Sequence, residues 1–127
     1  MSNPVPPADP PARLQLRIFF GEDAMLGPGK AELLERIRDS GSISAAGRAM
    51  QMSYKRAWML VEEMNKAFRE PLVESARGGA GGGGARVTEA GLAVLALYRS
   101  VEFNASAAGR EEIAVLKTML RDISDKK

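Results

Sequence analysis

The side chains with the clearest chemistry are the cations that follow Ser53. Lys55 and Arg56 begin a stretch in which apolar residues recur every three or four positions, so both lie at the start of an expected amphipathic helix. A guanidinium presents its donors in a fixed fork, whereas an ammonium acts as a point charge. These residue types in this order suit an anionic partner with hydrogen-bond acceptors.

The overall charge does not identify that partner. The chain has 18 Lys and Arg against 16 Asp and Glu, a formal net charge of +2. Residues 28–87 hold ten basic and seven acidic groups, so the surplus lies in the middle. A surface that binds nucleic acid and an ordinary solvated surface could both show this small surplus. The spacing of the residues must distinguish the two.

The composition argues against several classes of enzyme and metal site. The 127 residues include no His and no Cys, so the commonest general base, the thiol nucleophile and the usual zinc ligands are missing. We therefore predict no catalytic residue, no metal, no cofactor and no enzyme activity. The sequence lacks both a long apolar run and a secretory signal, which predicts a cytoplasmic protein without a membrane span.

The periodicity predicts a mainly α fold with a small β-hairpin, organised as one domain with appendages. Residues 1–12 contain five prolines and are expected to be a disordered tail. Residues 13–103 are expected to form a winged helix-turn-helix, and residues 104–127 a C-terminal amphipathic helix. The expected elements are a strand over 14–20, helices over 31–40, 42–50 and 54–68, strands over 72–75 and 86–87, and helical stripes over 92–101 and 113–123. Between 104 and 109 a break or bend is favoured over one long helix, although propensity does not decide between them.

The order of these parts favours a DNA-binding unit. In a helix-turn-helix the second helix enters the major groove with its N-terminal residues against the bases. The small residues of the preceding helix fit a close helix crossing; they are Ala45, Ala46, Gly47 and Ala49. Trp58 lies in the middle of the apolar stripe and is predicted to be core.

On this geometry individual side chains receive expected roles. Arg56 could fork onto guanine, and Lys55 would more often bind phosphate. Ser42 and Ser44 stand at a helix start, where they could bind phosphate or simply cap the helix. The full set of predicted DNA-binding residues is Ser42, Ser44, Ser53, Tyr54, Lys55, Arg56, Met59, Arg77 and Arg86.

A glycine-rich run separates the two predicted hairpin strands. Its Gly79-x-Gly81-x-x-Gly84 spacing formally matches a dinucleotide fingerprint, but the residues past 104 read as helical where a parallel strand is required. A wing tip that approaches the sugar-phosphate backbone is preferred, with Arg77 and Arg86 flanking it. A loop without a binding role remains the alternative.

Several linked motifs follow one another along the chain. They are Leu26-Gly27-Pro28-Gly29, Ser40-Gly41-Ser42-Ile43-Ser44-Ala45-Ala46, Met52-Ser53-Tyr54-Lys55-Arg56-Ala57-Trp58, Pro71-Leu72-Val73-Glu74, the glycine-rich run and Thr88-Glu89-Ala90-Gly91. Together they resemble the N-terminal DNA-binding domain of the ModE family, the molybdate-responsive bacterial regulators, which is similar to the winged domain of LysR-type regulators. The resemblance covers roughly residues 14–103.

The resemblance implies a transcription regulator that binds a palindromic operator as a homodimer and controls molybdate uptake or molybdoenzyme genes. With about two dozen residues past 103, we expect no molybdate-binding domain in this chain, and its effector is open. The apolar stripes predict a dimer interface of Leu92, Leu95, Tyr98, Val101, Ile113, Leu116, Leu120 and Ile123.

The competing hypothesis is a winged domain that does not bind DNA and contacts a protein partner through its C-terminal helix. Glu62 and Glu63, on the exposed side of the predicted third helix, favour it, since carboxylates near phosphates are unfavourable.

Overall fold

The computed structural model of the chain describes residues 11–76 and 84–121. The elements in these ranges follow the predicted order, with one additional strand. They are β1 (Ile18–Phe20), β2 (Ala24–Leu26), α1 (Pro28–Ser40), α2 (Ile43–Ala49), α3 (Tyr54–Ala67), β3 (Val73–Ala76), β4 (Gly84–Val87), α4 (Glu89–Ala108) and α5 (Arg110–Thr118).

The core forms where α1, α3 and α4 meet the start of the β3–β4 hairpin. The largest fully buried side chains come from these elements; they are Leu33, Leu34, Ile37, Val61, Met64, Leu72 and Tyr98. The apolar periodicity of α1 and α3 therefore faces inward, as predicted. A mainly helical fold with a small antiparallel hairpin is confirmed.

The first strand differs from the prediction. Only Ile18–Phe20 of the expected strand over 14–20 is β structure, and it pairs antiparallel with β2, which the sequence did not reveal. A tight turn joins the two strands, with Gly21 at φ +74°. Ahead of β1, the Leu16 carbonyl accepts a 2.6 Å hydrogen bond from the Tyr98 hydroxyl, so a tertiary contact replaces a strand ladder there.

The predicted hairpin consists of β3 and β4, paired antiparallel with Glu74 opposite Arg86. Gly91, in the first turn of α4, packs closely on this hairpin, because a Cβ there would lie 2.3 Å from the Leu72 carbonyl oxygen. The glycine run of the expected wing tip lies outside the described residues, except for Gly84 in β4.

The two C-terminal helices are separated at Gly109, the last residue of the interval 104–109. Thr88 caps α4, its hydroxyl accepting from the Gly91 amide at 3.0 Å. The helix runs through Asn104 to Ala108, so the expected domain boundary at 103 falls inside it, and Gly109 separates it from α5. Residues 1–10 of the expected tail lie outside the described ranges. No helix within those ranges has the length and apolar character to cross a membrane.

Candidate nucleic-acid interface

The N-terminal end of α3 is fixed by Ser53. Its hydroxyl accepts a 3.1 Å hydrogen bond from the Arg56 amide, satisfying one of the free donors of the first helical turn. Because Ala57 is fully buried one position later, the helix has a defined rotation about its axis. The cap and the buried stripe thus set which side chains point outward.

The groove face of α3, defined as the exposed side chains of Lys55, Arg56 and Met59, is open to solvent. Within the described part of the chain, neither the Lys55 ammonium nor the Arg56 guanidinium makes a hydrogen bond or an ion pair. Both cations are therefore available to an external anion.

The aromatic side chains at the start of α3 divide between surface and core. Tyr54 is 57% exposed, and its ring edge meets Trp58 at a centroid distance of 6.2 Å. Trp58 is half-buried and packs against the core, in agreement with its prediction as a core residue. The Tyr54 hydroxyl makes no hydrogen bond to another described residue.

The tight turn between α2 and α3 depends on Gly47. A Cβ at Gly47 would lie 2.8 Å from the Ala57 Cβ, closer than two carbon atoms can pack. The chain then turns through Gln51, at φ +60°, and the Met52 amide donates to the Gly47 carbonyl at 2.9 Å. The predicted close crossing is confirmed at Gly47 and at buried Ala46, whereas Ala49 is exposed and does not contribute to it.

The start of α2 is also capped by a serine. The Ser42 hydroxyl accepts a 3.0 Å hydrogen bond from the Ala45 amide, so this serine caps α2. Ser42 and Ser44 are both half-buried. The capping role considered for Ser42 is therefore observed. A phosphate contact by Ser42 stays a prediction.

The β3–β4 hairpin is held to the helix-turn-helix at two points. The Ala85 amide donates to the Gly41 carbonyl at 2.9 Å, which joins β4 to the loop before α2. The Asn65 side chain accepts from the Leu72 and Val73 amides at 2.8 and 3.1 Å and donates to the Val73 carbonyl at 3.0 Å. Asn65 is a half-buried residue of α3 and is not among the residues that the sequence predicted for the interface. The one available signal was a polar residue at a core position.

Of the two predicted wing arginines, Arg86 is exposed on β4 and pairs with the Glu74 carboxylate directly across the hairpin. Arg77 lies outside the described residues. A solvent-exposed ion pair of this kind is worth about 0–1 kcal/mol, so an external phosphate can compete for the Arg86 guanidinium.

The predicted dimer interface is partly wrong. Leu95 and Tyr98 are 4% and 1% exposed, because they face the chain's own core and not the outside. Leu92, Val101, Leu116 and Leu120 are exposed, Ile113 is half-buried, and Ile123 lies outside the described residues. Other large apolar side chains that the stripes did not include are also exposed; they are Leu97, Phe103, Val115 and Met119.

An ion-pair network fixes α4 against α1. The Arg99 guanidinium donates to both Glu35 carboxylate oxygens at 2.9 and 3.0 Å and to Glu102 at 2.7 Å. The pKa of Arg99 is raised, mainly by its hydrogen bonds to Glu35. The pKa of the neighbouring Tyr98 is also raised, mainly because its side chain is buried. These contacts join one side of α4 to α1.

Comparison with known proteins agrees with this geometry. A family profile described as bacterial regulatory helix-turn-helix protein, lysR family, matches residues 29–92, from the start of α1 to the first turn of α4. The solved structure described as a CbnR_DBD–DNA complex superposes with a TM-score of 0.53 at 18% identity, covering 69% of this chain and 95% of that one. This likeness shows that the fold is shared.

Curated relatives match the same region. The molybdenum-pterin-binding protein MopA of Rhodobacter capsulatus is 47% identical over 77 residues, which cover 61% of this chain and 29% of that protein. The molybdenum transport protein ModE of Azotobacter vinelandii is 39% identical over 97 residues, or 76% of this chain and 35% of that protein. The chain thus spans about a third of these relatives' length. The matches confirm the resemblance to ModE-type proteins, and the chain belongs to the bacterial regulatory helix-turn-helix proteins of the lysR family.

Proposed function

We propose that this chain is a sequence-specific, DNA-binding transcription regulator of ModE type that places the N-terminal half of α3 in the major groove. The observation that carries the proposal is the groove face of α3. Lys55 and Arg56 stand exposed on the first helical turn, and neither is engaged by another described residue. This is the end of a recognition helix that meets base edges.

The side chains of this end have complementary roles. Arg56 forks onto the two major-groove acceptors of a guanine, and Lys55 binds a phosphate. Met59 offers an apolar contact to a thymine methyl group, and the Tyr54 hydroxyl reaches a phosphate. The α2 start, with Ser42 and Ser44, contributes amides and hydroxyls to the backbone.

The wing supplies further backbone contacts. Arg86 exchanges its surface partner Glu74 for a phosphate when the duplex arrives, and Arg77 serves the same backbone. Release of condensed counterions from the DNA adds to this exchange, which makes affinity strongly dependent on salt. These contacts position the domain without reading sequence.

The active species in this proposal is a homodimer joined through the exposed apolar side chains of α4 and α5. Eight large side chains, six on these two helices and two directly after α5, are between 42% and 74% exposed, and a second copy would cover them. Twofold symmetry then spaces the two α3 helices about 34 Å apart on a palindromic operator. Sedimentation equilibrium at micromolar concentration tests this assembly. A dimer is expected, with Leu116→Glu/Leu120→Glu shifting it to monomer, and a monomeric parent chain would contradict it.

The regulated genes are proposed to be those of molybdate uptake or of molybdoenzymes, because relatives named for molybdenum transport and molybdenum-pterin binding match the DNA-binding region. Selection of genomic fragments by the purified chain, with and without molybdate, tests this directly. Enrichment of such genes supports the assignment, and random fragments would contradict it.

DNA binding itself is tested by fluorescence anisotropy with a labelled duplex. Arg56→Ala should cost about 1–3 kcal/mol on the selected operator and relax preference at one base pair. Arg36→Ala is the matched control, because Arg36 lines the cleft between α1 and α4 with Arg99 and Glu102 and is absent from the groove face. Equal losses in the two variants would count against the α3 interface.

A further inference from the structure

We propose that Lys30 is a positioning residue for DNA binding, acting through Glu63. Its buried ammonium compensates the Glu63 carboxylate and keeps it from the phosphates that flank the recognition helix α3. The inference rests on the proposed DNA-binding function. It concerns a residue of α1 that does not touch DNA.

The first observation is the burial of a cation. Lys30 is 8% exposed and is the one buried charged side chain in the described part of the chain. Its Nζ donates to the Met25 carbonyl at 2.9 Å and lies 3.2 Å from Glu63 Oε1. A buried ammonium without a counter-charge is strongly unfavourable, so Lys30 requires the Glu63 carboxylate.

The second observation is the position of Glu63 on α3. Glu63 follows Arg56 by seven residues, which is close to two helical turns, so both lie along the same side of the helix. The distance along the axis is about 10 Å, similar to the Debye length of about 8–10 Å at ordinary salt. A free carboxylate there would repel the phosphates that Lys55 and Arg56 attract.

The Lys30 contact changes what Glu63 contributes to that surface. Glu63 is 53% exposed, so its charge would reach the solvent beside the duplex if nothing compensated it. The Lys30 ammonium supplies the opposite charge from beneath and holds the carboxylate toward α1. Part of the acidic character of α3 is thereby removed, which weakens the argument for a domain that avoids DNA.

A purely structural role for Lys30 makes a different prediction. Through the Met25 carbonyl, Lys30 also ties β2 to α1, and the β1–β2 hairpin meets the end of α3 where the Phe20 and Phe68 rings pack 6.3 Å apart. If anchoring were its whole contribution, removing the Glu63 charge could not compensate for losing the Lys30 ammonium.

The experiment compares three variants with the parent chain: Lys30→Met, Glu63→Gln and the double variant. The probe is a labelled random-sequence duplex, titrated by anisotropy from about 50 to about 200 mM salt, a range over which phosphate contacts weaken strongly. Lys30→Met keeps most of the aliphatic stem and removes the charge. Glu62→Gln is the matched control for removing a carboxylate from the same helix without touching the Lys30 pair.

Lys30→Met is expected to weaken binding about threefold to tenfold at the lowest salt, with the ratio to the parent shrinking as salt screens the exposed carboxylate. The double variant is expected to return to within about twofold of the parent, because it carries no uncompensated charge. Lys30→Met combined with Glu62→Gln should keep a salt-dependent loss, since its Glu63 remains unpaired.

Three results would overturn the proposal: parent-like binding by Lys30→Met, no recovery in a folded double variant, or a loss that is the same at every salt concentration. Circular dichroism is recorded for each variant. Should both Lys30 variants fail to fold, Lys30 would have a structural role alone and the proposal would be wrong. A parent chain that does not bind the duplex refutes the DNA-binding function instead, so the two failures are distinguishable.

Discussion

The crossing of α2 and α3 gives the sharpest structural prediction, because a single methyl group tests it. Gly47→Ala places a Cβ 2.8 Å from the Ala57 Cβ, so one helix must move outward by roughly 1 Å to restore carbon contact. Overpacking of this kind costs about 1–3 kcal/mol. Against it stands a gain of up to about 1 kcal/mol from replacing a helical glycine.

With the full helical gain, the expected net effect of Gly47→Ala is a loss of about 0–2 kcal/mol in unfolding free energy, measured by urea denaturation, and Gly47→Ala should be less stable than a Gly→Ala change that causes no clash. Because the displaced element carries the groove face of α3, duplex affinity should fall as well. Gly29→Ala is the matched control: it lies in α1 with nothing within 4 Å of an added Cβ, and it should be neutral or stabilising. If Gly47→Ala is as stable as Gly29→Ala, the close crossing is refuted.

Two further predictions concern side-chain contacts that hold the elements around the interface. Asn65→Ala should destabilise the fold by about 1–3 kcal/mol, because it leaves the Leu72 and Val73 amides without their acceptor. Asn65→Asp should lose less stability, since it keeps the acceptor oxygen. Equal losses for the two variants in chemical denaturation would argue against this role of Asn65. Tyr98→Phe should cost about 0.5–1.5 kcal/mol by removing the hydroxyl that donates to the Leu16 carbonyl. Burial raises the pKa of Tyr98, so its contribution is complete below the unfolded value of about 10 and is lost as pH rises through the higher folded pKa. In thermal melts the parent chain should therefore lose stability at alkaline pH, and Tyr98→Phe should lose less over the same pH range. Identical pH profiles for the two proteins would contradict the role given to the Tyr98 hydroxyl.

The sequence was most informative where structure is local. Ser42 caps the helix that its position predicted, and Ser53 and Thr88 cap α3 and α4 in the same way, because a hydroxyl at a helix start satisfies nearby amides whatever the tertiary context. Gly109 ends α4 inside the expected interval. The order of helices and hairpin strands was sufficient to predict a winged helix-turn-helix.

Tertiary contacts limited the rest. The β2 strand is three residues long and is stabilised by pairing with β1, so its own sequence carried no strand signal. The stripe on α4 was correct in period, but periodicity does not tell a core from an interface, and Leu95 and Tyr98 proved to be core. The sequence carries no local signal for the burial of Lys30, which follows from contacts that α3 and β2 provide.

The groove face of α3 is tested most directly by methylation interference on the selected operator. Methyl groups at guanine N7 block a major-groove contact without changing the minor groove. We expect methylation of a guanine in each half-site to prevent binding of the parent chain, and Arg56→Ala to become insensitive to it there. Binding that is unaffected by N7 methylation throughout the operator, or an identical interference pattern in Arg56→Ala, would contradict α3 as the recognition helix.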